Sequence, residues 1–153
     1  MTNNDGSVIE VKGGGTLTLT DSAPGTMHYY SVDPDTKLWT ILPDDTGAAG
    51  SIQGGTITGG STGQSGVPIR TGGSLTMNGG TIAGCRVNGQ GGGVYVSGGS
   101  TFTMNGGSIS DSGVSSGRES YNTIYNLGTF IANGGAVTNS GSGLYNYALY
   151  TIG

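Results

Sequence analysis

The run from Val94 to Ile109 constrains the fold of this chain more than any other stretch of its sequence. It reads Val-Tyr-Val-Ser-Gly-Gly-Ser-Thr-Phe-Thr-Met-Asn-Gly-Gly-Ser-Ile. Apolar residues alternate with small polar ones, which is typical of strands with one buried face. A glycine pair follows each alternating segment, which is typical of a tight bend. The run therefore predicts three short strands separated by bends.

Further copies of this pattern occur along the chain. Residues 9–19 superimpose on residues 94–104 without a gap, residues 69–82 and 124–137 fit the same frame, and a last copy begins at Leu144. The equivalent positions Leu75, Phe102, Phe130 and Tyr150 of the last four copies are 27, 28 and 20 residues apart. Constant offsets within copies of variable length are typical of a solenoid whose outer loops accept insertions.

Copies of this kind bury their apolar face only by stacking, with equivalent strands paired about 4.8 Å apart. Stacking in register predicts four apolar columns inside the solenoid and outward-facing threonines (Thr16, Thr18, Thr76, Thr101, Thr103) between them. The predicted columns are Leu17, Leu75, Phe102, Phe130 and Tyr150; Leu19, Met77, Met104, Ala132 and Ile152; Ile57, Ile82, Ile109 and Val137; and Val11, Ile69, Val96, Ile124 and Leu144.

An insertion at about residues 23–50 interrupts the first copy. Within it, Met27–Val32 and Lys37–Leu42 flank the turn sequence Asp-Pro-Asp-Thr at 33–36, which predicts a β-hairpin. The pair Ile52 and Ile57 repeats the offset of later copies, so we expect the stacking to resume at about residue 51.

Composition and charge exclude several classes of protein. The net charge is −4 and the five basic residues are scattered, so no basic stripe exists to bind nucleic acid. No apolar run approaches the roughly 20 residues of a membrane-spanning helix, so we expect no membrane insertion. The first residues lack the pattern of a signal peptide. A single cysteine, Cys85, excludes a disulfide scaffold.

The repeat units resemble those of a known family. They are Gly-Gly-Thr-Leu-Thr-Leu-Thr-Asp-Ser (14–22), Gly-Gly-Thr-Ile-Thr-Gly-Gly (54–60), Gly-Gly-Gly-Val-Tyr-Val (91–96), Phe-Thr-Met-Asn-Gly-Gly-Ser-Ile-Ser (102–110) and Ile-Tyr-Asn-Leu-Gly-Thr-Phe (124–130). The sequence is similar to the right-handed parallel β-helix repeat regions of bacterial cell-surface and adhesin-like proteins, which share the pectate-lyase-like superfold. The resemblance covers essentially the whole chain and implies an extracellular or cell-surface location. It supplies no motif of functional residues.

The expected fold is therefore all-β: one domain over residues 1–153, a right-handed parallel β-helix (β-solenoid) of about five or six coils with a β-hairpin insertion. The right hand follows from the general rule for parallel crossovers. No capping helix precedes the end at Gly153, which favours a fragment or an open-ended solenoid that self-associates head to tail.

The insertion holds the candidate binding residues. Tyr29, Tyr30 and Trp39 are candidates for a platform that stacks against sugar rings or a partner protein; the alternative is that they fasten the hairpin to the solenoid wall. His28 has no Ser or Cys arrangement beside it, and Cys85 is interpreted as a small packed residue.

Acidic residues could supply a metal site or catalysis. Asp33, Asp35, Asp44 and Asp45 lie near one another in the sequence but lack a calcium-loop pattern, so turn formation is the better interpretation and no metal or cofactor is expected. Outside the insertion the acids do not recur at equivalent positions of adjacent copies, so no catalytic residue is assigned. These acids are Asp5, Glu10, Asp21, Asp111 and Glu119.

Three functions remain open at this point. The leading expectation is a non-catalytic structural or adhesive module: a surface stalk, adhesin segment or filament subunit, with a glycan or a host-surface protein as partner. The second is a β-helix protein that binds or cleaves carbohydrate. The third is an ice-binding solenoid, suggested by the pairs Thr16/Thr18, Thr56/Thr58 and Thr101/Thr103 and by Ser74/Thr76, although Ala83, Ser108, Ser110 and Ala136 interrupt the strand that begins at Thr56.

Overall fold

The computed structural model describes residues 9–35, 38–58, 61–62, 69–87, 91–110, 113–114, 123–138, 144–146 and 149–152. These described residues form twenty β-strands and no helix, so this part of the chain is all-β. The strands fall into five successive repeats, each of which begins with a strand of three residues.

The strand bounds are as follows. Repeat 1 contains β1 (Ile9–Val11), β2 (Thr16–Leu19), β3 (Met27–Val32), β4 (Trp39–Leu42), β5 (Gly50–Gln53), β6 (Thr56–Ile57) and β7 (Ser61–Thr62). Repeat 2 contains β8 (Ile69–Thr71), β9 (Ser74–Met77), β10 (Thr81–Ala83) and β11 (Arg86–Val87). Repeat 3 contains β12 (Val94–Val96), β13 (Thr101–Met104), β14 (Ser108–Ser110) and β15 (Gly113–Val114). Repeat 4 contains β16 (Ile124–Asn126), β17 (Thr129–Ala132) and β18 (Ala136–Val137), and repeat 5 contains β19 (Leu144–Asn146) and β20 (Leu149–Ile152).

Four parallel sheets join the repeats. Sheet A contains β1, β8, β12, β16 and β19, and sheet B contains β2, β9, β13, β17 and β20. Sheet C contains β6, β10, β14 and β18, and the short sheet D contains β7, β11 and β15. Each strand pairs with the equivalent strand of the next repeat, so the chain visits the sheets in the same order in every repeat.

The predicted columns of sheets B and C are confirmed. In sheet B, Phe102 pairs with Leu75 on one side and with Phe130 on the other, and Met104 lies beside Met77. In sheet C, Ile82 lies between Ile57 and Ile109, and Val137 continues this column.

The apolar residues of these columns form the core. Within the described residues the largest fully buried side chains include Phe102, Phe130, Leu75, Met77 and Ile109. The rings of Phe102 and Phe130 stack with centroids 5.0 Å apart and planes 12° apart. Burial of a side chain of this size contributes roughly 1.5–3 kcal/mol, so the columns are the main source of stability.

The predicted column of sheet A is wrong at Val11 and Val96, each of which lies two residues after the true partner of Ile69. Ile69 pairs with Ile9 and Val94, whereas Val11 and Val96 both pair with Thr71. Ile9, Val94 and Ile124 belong to one inward column of this sheet, in register with Ile69 and Leu144. Val11, Thr71, Val96 and Asn126 form the second inward column, in register with Asn146.

The shift arises because the corner between sheets A and B has two lengths. Repeats 1 and 3 have a long corner, in which a β-turn separates the strands: the Gly15 amide donates to the Lys12 carbonyl at 2.8 Å, and the Ser100 amide donates to the Ser97 carbonyl at 3.1 Å. Repeats 2 and 4 have a short corner, which is two residues shorter than the long one. The short corners are Gly72–Gly73 and Leu127–Gly128. A superposition without gaps cannot accommodate this difference.

Each described short corner is held by a polar side chain that takes the place of valine in the inner column. The Asn126 Oδ1 accepts the Gly128 amide at 3.1 Å, and the Thr71 hydroxyl contacts the Gly73 amide at 3.3 Å and its carbonyl at 3.0 Å. Both side chains are fully buried. These hydrogen bonds satisfy polar groups that would be costly to bury alone.

The insertion forms a separate antiparallel sheet in the order β4-β3-β5. The predicted hairpin is confirmed, because Met27–Val32 pairs with Trp39–Leu42; Lys37 and Thr36 lie outside the described residues. The predicted return at about residue 51 is wrong. Ile52 pairs with His28 in the antiparallel sheet, and the chain rejoins the parallel stacking only at Thr56.

The glycine of a short corner packs directly on the long corner of the preceding repeat. A Cβ atom at Gly128 would collide with the carbonyl oxygens of Ser97 and Ser100. We expect Gly128→Ala to lower the free energy of unfolding by about 1–3 kcal/mol, since overpacking forces the backbone apart. Chemical denaturation monitored by circular dichroism measures this change.

Gly98→Ala is the matched control. A Cβ atom at Gly98 would meet only the Leu127 carbonyl oxygen, at an ordinary 3.8 Å, and the residue has no left-handed φ. We expect the control to change the free energy of unfolding by less than about 0.5 kcal/mol. Equal effects of the two substitutions would contradict the packing of short on long corners.

Candidate functional sites

The antiparallel sheet is fastened to the parallel sheets by Trp39. This residue is only 7% exposed, and its ring lies on the backbone of Gly84, where a Cβ atom would collide with the indole. The Trp39 amide also donates to the Gly84 carbonyl at 3.4 Å. Gly84 has a φ of +62°, so both its conformation and the close approach of the ring require glycine.

Tyr30 stacks on Trp39 from within the antiparallel sheet. The two ring centroids are 3.7 Å apart and their planes differ by 4°. The Tyr30 hydroxyl lies over Gly50, where a Cβ atom would approach it to 2.5 Å. The stacked pair therefore joins all three strands of the insertion and the wall of repeat 2.

The three candidate ligand-binding residues do not form one platform. Strand residues alternate between faces, so Tyr29 projects from the face of β3 opposite to that of Tyr30. Tyr29 shares its face with Leu42 and Ser51, its antiparallel partners. Tyr30 and Trp39 therefore attach the insertion to the parallel sheets. Of the three residues, only Tyr29 projects away from this contact.

The aspartates of the insertion shape turns. Asp33 Oδ1 accepts the Asp35 amide at 3.0 Å, and Asp44 Oδ1 accepts the Thr46 amide at 2.9 Å. Hydrogen bonds from the Thr46 backbone and side chain lower the pKa of the exposed Asp44 carboxyl. Within the described residues, no three His, Cys, Asp or Glu side chains come together in a way that could hold a metal ion.

The remaining polar candidates are dispersed. Cys85 is buried, and its thiol contacts the Ala83 carbonyl at 3.3 Å. Arg86 donates to the Cys85 carbonyl at 3.0 Å. His28 lies opposite Ile52 in the antiparallel sheet. Of the acids outside the insertion, Glu10 and Asp21 are described, whereas Asp5, Asp111 and Glu119 lie outside the described residues.

The outer face of sheet B carries two rows of hydroxyl groups. One row runs through Thr16, Ser74, Thr101 and Thr129, and the other through Thr18, Thr76 and Thr103 before Ile131 replaces threonine. The residues expected to interrupt the strand that begins at Thr56 lie with it in sheet C, outside these two rows. Three successive repeats therefore present an uninterrupted hydroxyl surface.

A ladder of asparagine side chains follows the corner between sheets B and C. The Asn133 Nδ2 donates to the Asn105 Oδ1 at 2.8 Å, and the Asn105 Nδ2 donates to the Asn78 Oδ1 at 2.9 Å. This ladder is not among the features predicted from the sequence. The signal for it was the recurrence of Asn-Gly-Gly directly after β9, β13 and β17.

Comparison with known proteins finds no matching family model, no matching curated protein and no matching solved structure. Among the described residues, there is no helix of the length and apolar character that crossing a membrane requires.

Proposed function

We propose that the chain is a right-handed parallel β-helix that serves as a non-catalytic structural or adhesive module at a cell surface or outside the cell. The observation that carries this proposal is the in-register stacking of equivalent strands in sheets A, B and C over four or more repeats. Such stacking produces a stiff, extendable body, because each repeat contacts mainly its neighbours.

The distribution of chemistry in the described residues supports a structural role. The outer face of sheet B carries hydroxyl and methyl groups and no charge. The aspartates of the insertion are used in turns, and its stacked aromatic pair fastens the insertion to the wall. A surface of this kind suits contact with a partner or with a second surface better than acid–base catalysis.

The structural role is tested by offering the protein acidic and neutral polysaccharides. We expect no new reducing ends and no unsaturated elimination product after prolonged incubation. Turnover that disappears in Asp21→Asn but persists in the turn variant Asp44→Asn would contradict the proposal. Turnover that both variants keep when they are purified in the same way would instead come from a contaminating activity.

Ice binding is a second candidate, favoured by the hydroxyl rows on sheet B. Neighbouring rungs of a parallel sheet are about 4.8 Å apart, and outward residues of one strand are about 6.6 Å apart. Five threonines and Ser74 of three repeats therefore form a regular array of hydroxyl and methyl groups, which suits the ordering of a layer of water.

Thermal hysteresis of a freezing solution tests this second candidate. If it is correct, the protein separates the freezing and melting temperatures, and Thr76→Lys at the centre of the array abolishes the gap. Thr40→Lys, at an exposed position of the insertion, is the control and leaves the difference between freezing and melting temperatures unchanged. Coincident freezing and melting temperatures in the unmodified protein would exclude ice binding.

A further inference from the structure

A polar groove lies where the insertion leaves and rejoins the parallel sheets, along the corner between sheets B and C. Its volume is about 440 Å³, within the range of about 300–1,000 Å³ that holds small ligands. The side chains that line it are polar apart from Pro24, and they include Asp21, Gln53, Asn78, Thr81 and Ser108.

The insertion supplies one wall of the groove. Gln53 is the last residue of β5, and Pro24 lies in the segment that leads into β3. Asp21 fixes this segment, because its Oδ1 accepts the Ala23 amide at 2.9 Å. The groove thus depends on the third antiparallel strand, and a simple stack of repeats would lack this wall.

The asparagine ladder gives the opposite wall a defined polarity. The Nδ2 groups of Asn133 and Asn105 each donate to the oxygen of the preceding repeat, so the Oδ1 of Asn78 accepts from Asn105. Asn78 is the member of the ladder that lines the groove. Its Nδ2 carries two donor hydrogens, and neither is used in the hydrogen bond to Asn105.

Acceptors and hydroxyl groups complete the lining. The Asp21 carboxylate has a second oxygen beyond the one that binds Ala23. The hydroxyls of Thr81 and Ser108 are 3.0 Å apart and form one hydrogen bond between them. Two hydroxyls that share one hydrogen bond retain a donor hydrogen and acceptor lone pairs for a ligand.

The floor of the groove is bare backbone with an apolar space next to it. Gly80 and Gly107 have φ values of +80° and +85°, and neither has room for a Cβ atom against the neighbouring repeat. An adjoining cavity of about 200 Å³ reaches Leu19, Ile57 and Met77. The groove therefore combines paired donors and acceptors with an apolar patch.

We propose that this groove binds a neutral carbohydrate. Sugar hydroxyls act as donors and acceptors together, as the Asn78 amide, the Asp21 carboxylate and the hydroxyl pair require, and the C–H faces of a sugar suit the apolar patch. The described lining contains no Lys or Arg to pair with a phosphate or sulfate. Its single carboxylate supplies too few charged oxygen ligands for a divalent cation. The site is independent of the structural role and does not require the stalk function.

The test is NMR titration of the isotope-labelled protein with neutral trisaccharides of glucose, galactose, mannose and N-acetylglucosamine. At least one of them should shift the Asn78 side-chain amide and the backbone amides of Gly79, Gly80 and Gly107. Asn78→Ala should weaken this binding about tenfold, since it removes the donor to the sugar.

Asn133→Ala is the matched control, because it also removes one hydrogen bond of the ladder but lies outside the groove. It should leave the affinity unchanged, and both variants should keep the circular dichroism spectrum of the parent. The proposal is overturned if no trisaccharide shifts these resonances at millimolar concentration, if the shifts cluster at Tyr29 instead, or if both variants weaken binding equally. Calcium chloride that produces the groove shifts when the sugars do not would also overturn it. The structural proposal survives any of these failures, since it is tested by the absence of turnover.

Discussion

Parallel pairing of equivalent strands is the interaction on which the rest of this structure depends. Each repeat is too small to bury its own apolar side chains, so Phe102 is covered only because Leu75 and Phe130 lie directly beside it. The same pairing that completes the backbone hydrogen bonds sets the columns of the core. It also sets the outward rows, since neighbouring residues of a strand point to opposite faces. Core, hydroxyl rows and asparagine ladder are consequences of one register.

The corners between sheets A and B show how this register is kept while the sequence varies. A long corner contains a β-turn, and a short corner contains a buried Thr71 or Asn126 that hydrogen-bonds to the corner glycine. Long and short corners alternate through the first four repeats, so each turn faces a bare glycine of the next repeat. Two extra residues are accommodated at the corner, and the strands on either side remain paired.

Much of the fold could be predicted from the sequence because sheets B and C have short, constant offsets. The columns at Phe102, Met104 and Ile109 follow directly from alternation. Sheet A could not be placed in the same way, because Ile69 lies at an offset from Leu75 that matches Val96 and Phe102 by coincidence. The sequence favours an apolar residue in the core, whereas the structure buries a hydrogen-bonded Thr71.

The candidate sites were less predictable, because they depend on contacts between distant segments. Alternation along β3 separates Tyr29 from Tyr30 and could have been read from the sequence. The contact of Trp39 with Gly84 could not, since it depends on where the insertion folds back. Ile52 resembles a member of the parallel columns and belongs to the antiparallel sheet. That third strand supplies Gln53 to the groove, so an insertion that ends at residue 50, as the sequence predicts, does not form this wall.

Backbone NOE contacts in solution test the central claim, the parallel register of the repeats, most directly. The account predicts contacts that join Phe102 to both Leu75 and Phe130, and contacts that join Val96 to Thr71. Contacts of Val96 with Ile69 instead, or an antiparallel pattern between β9 and β13, would contradict it.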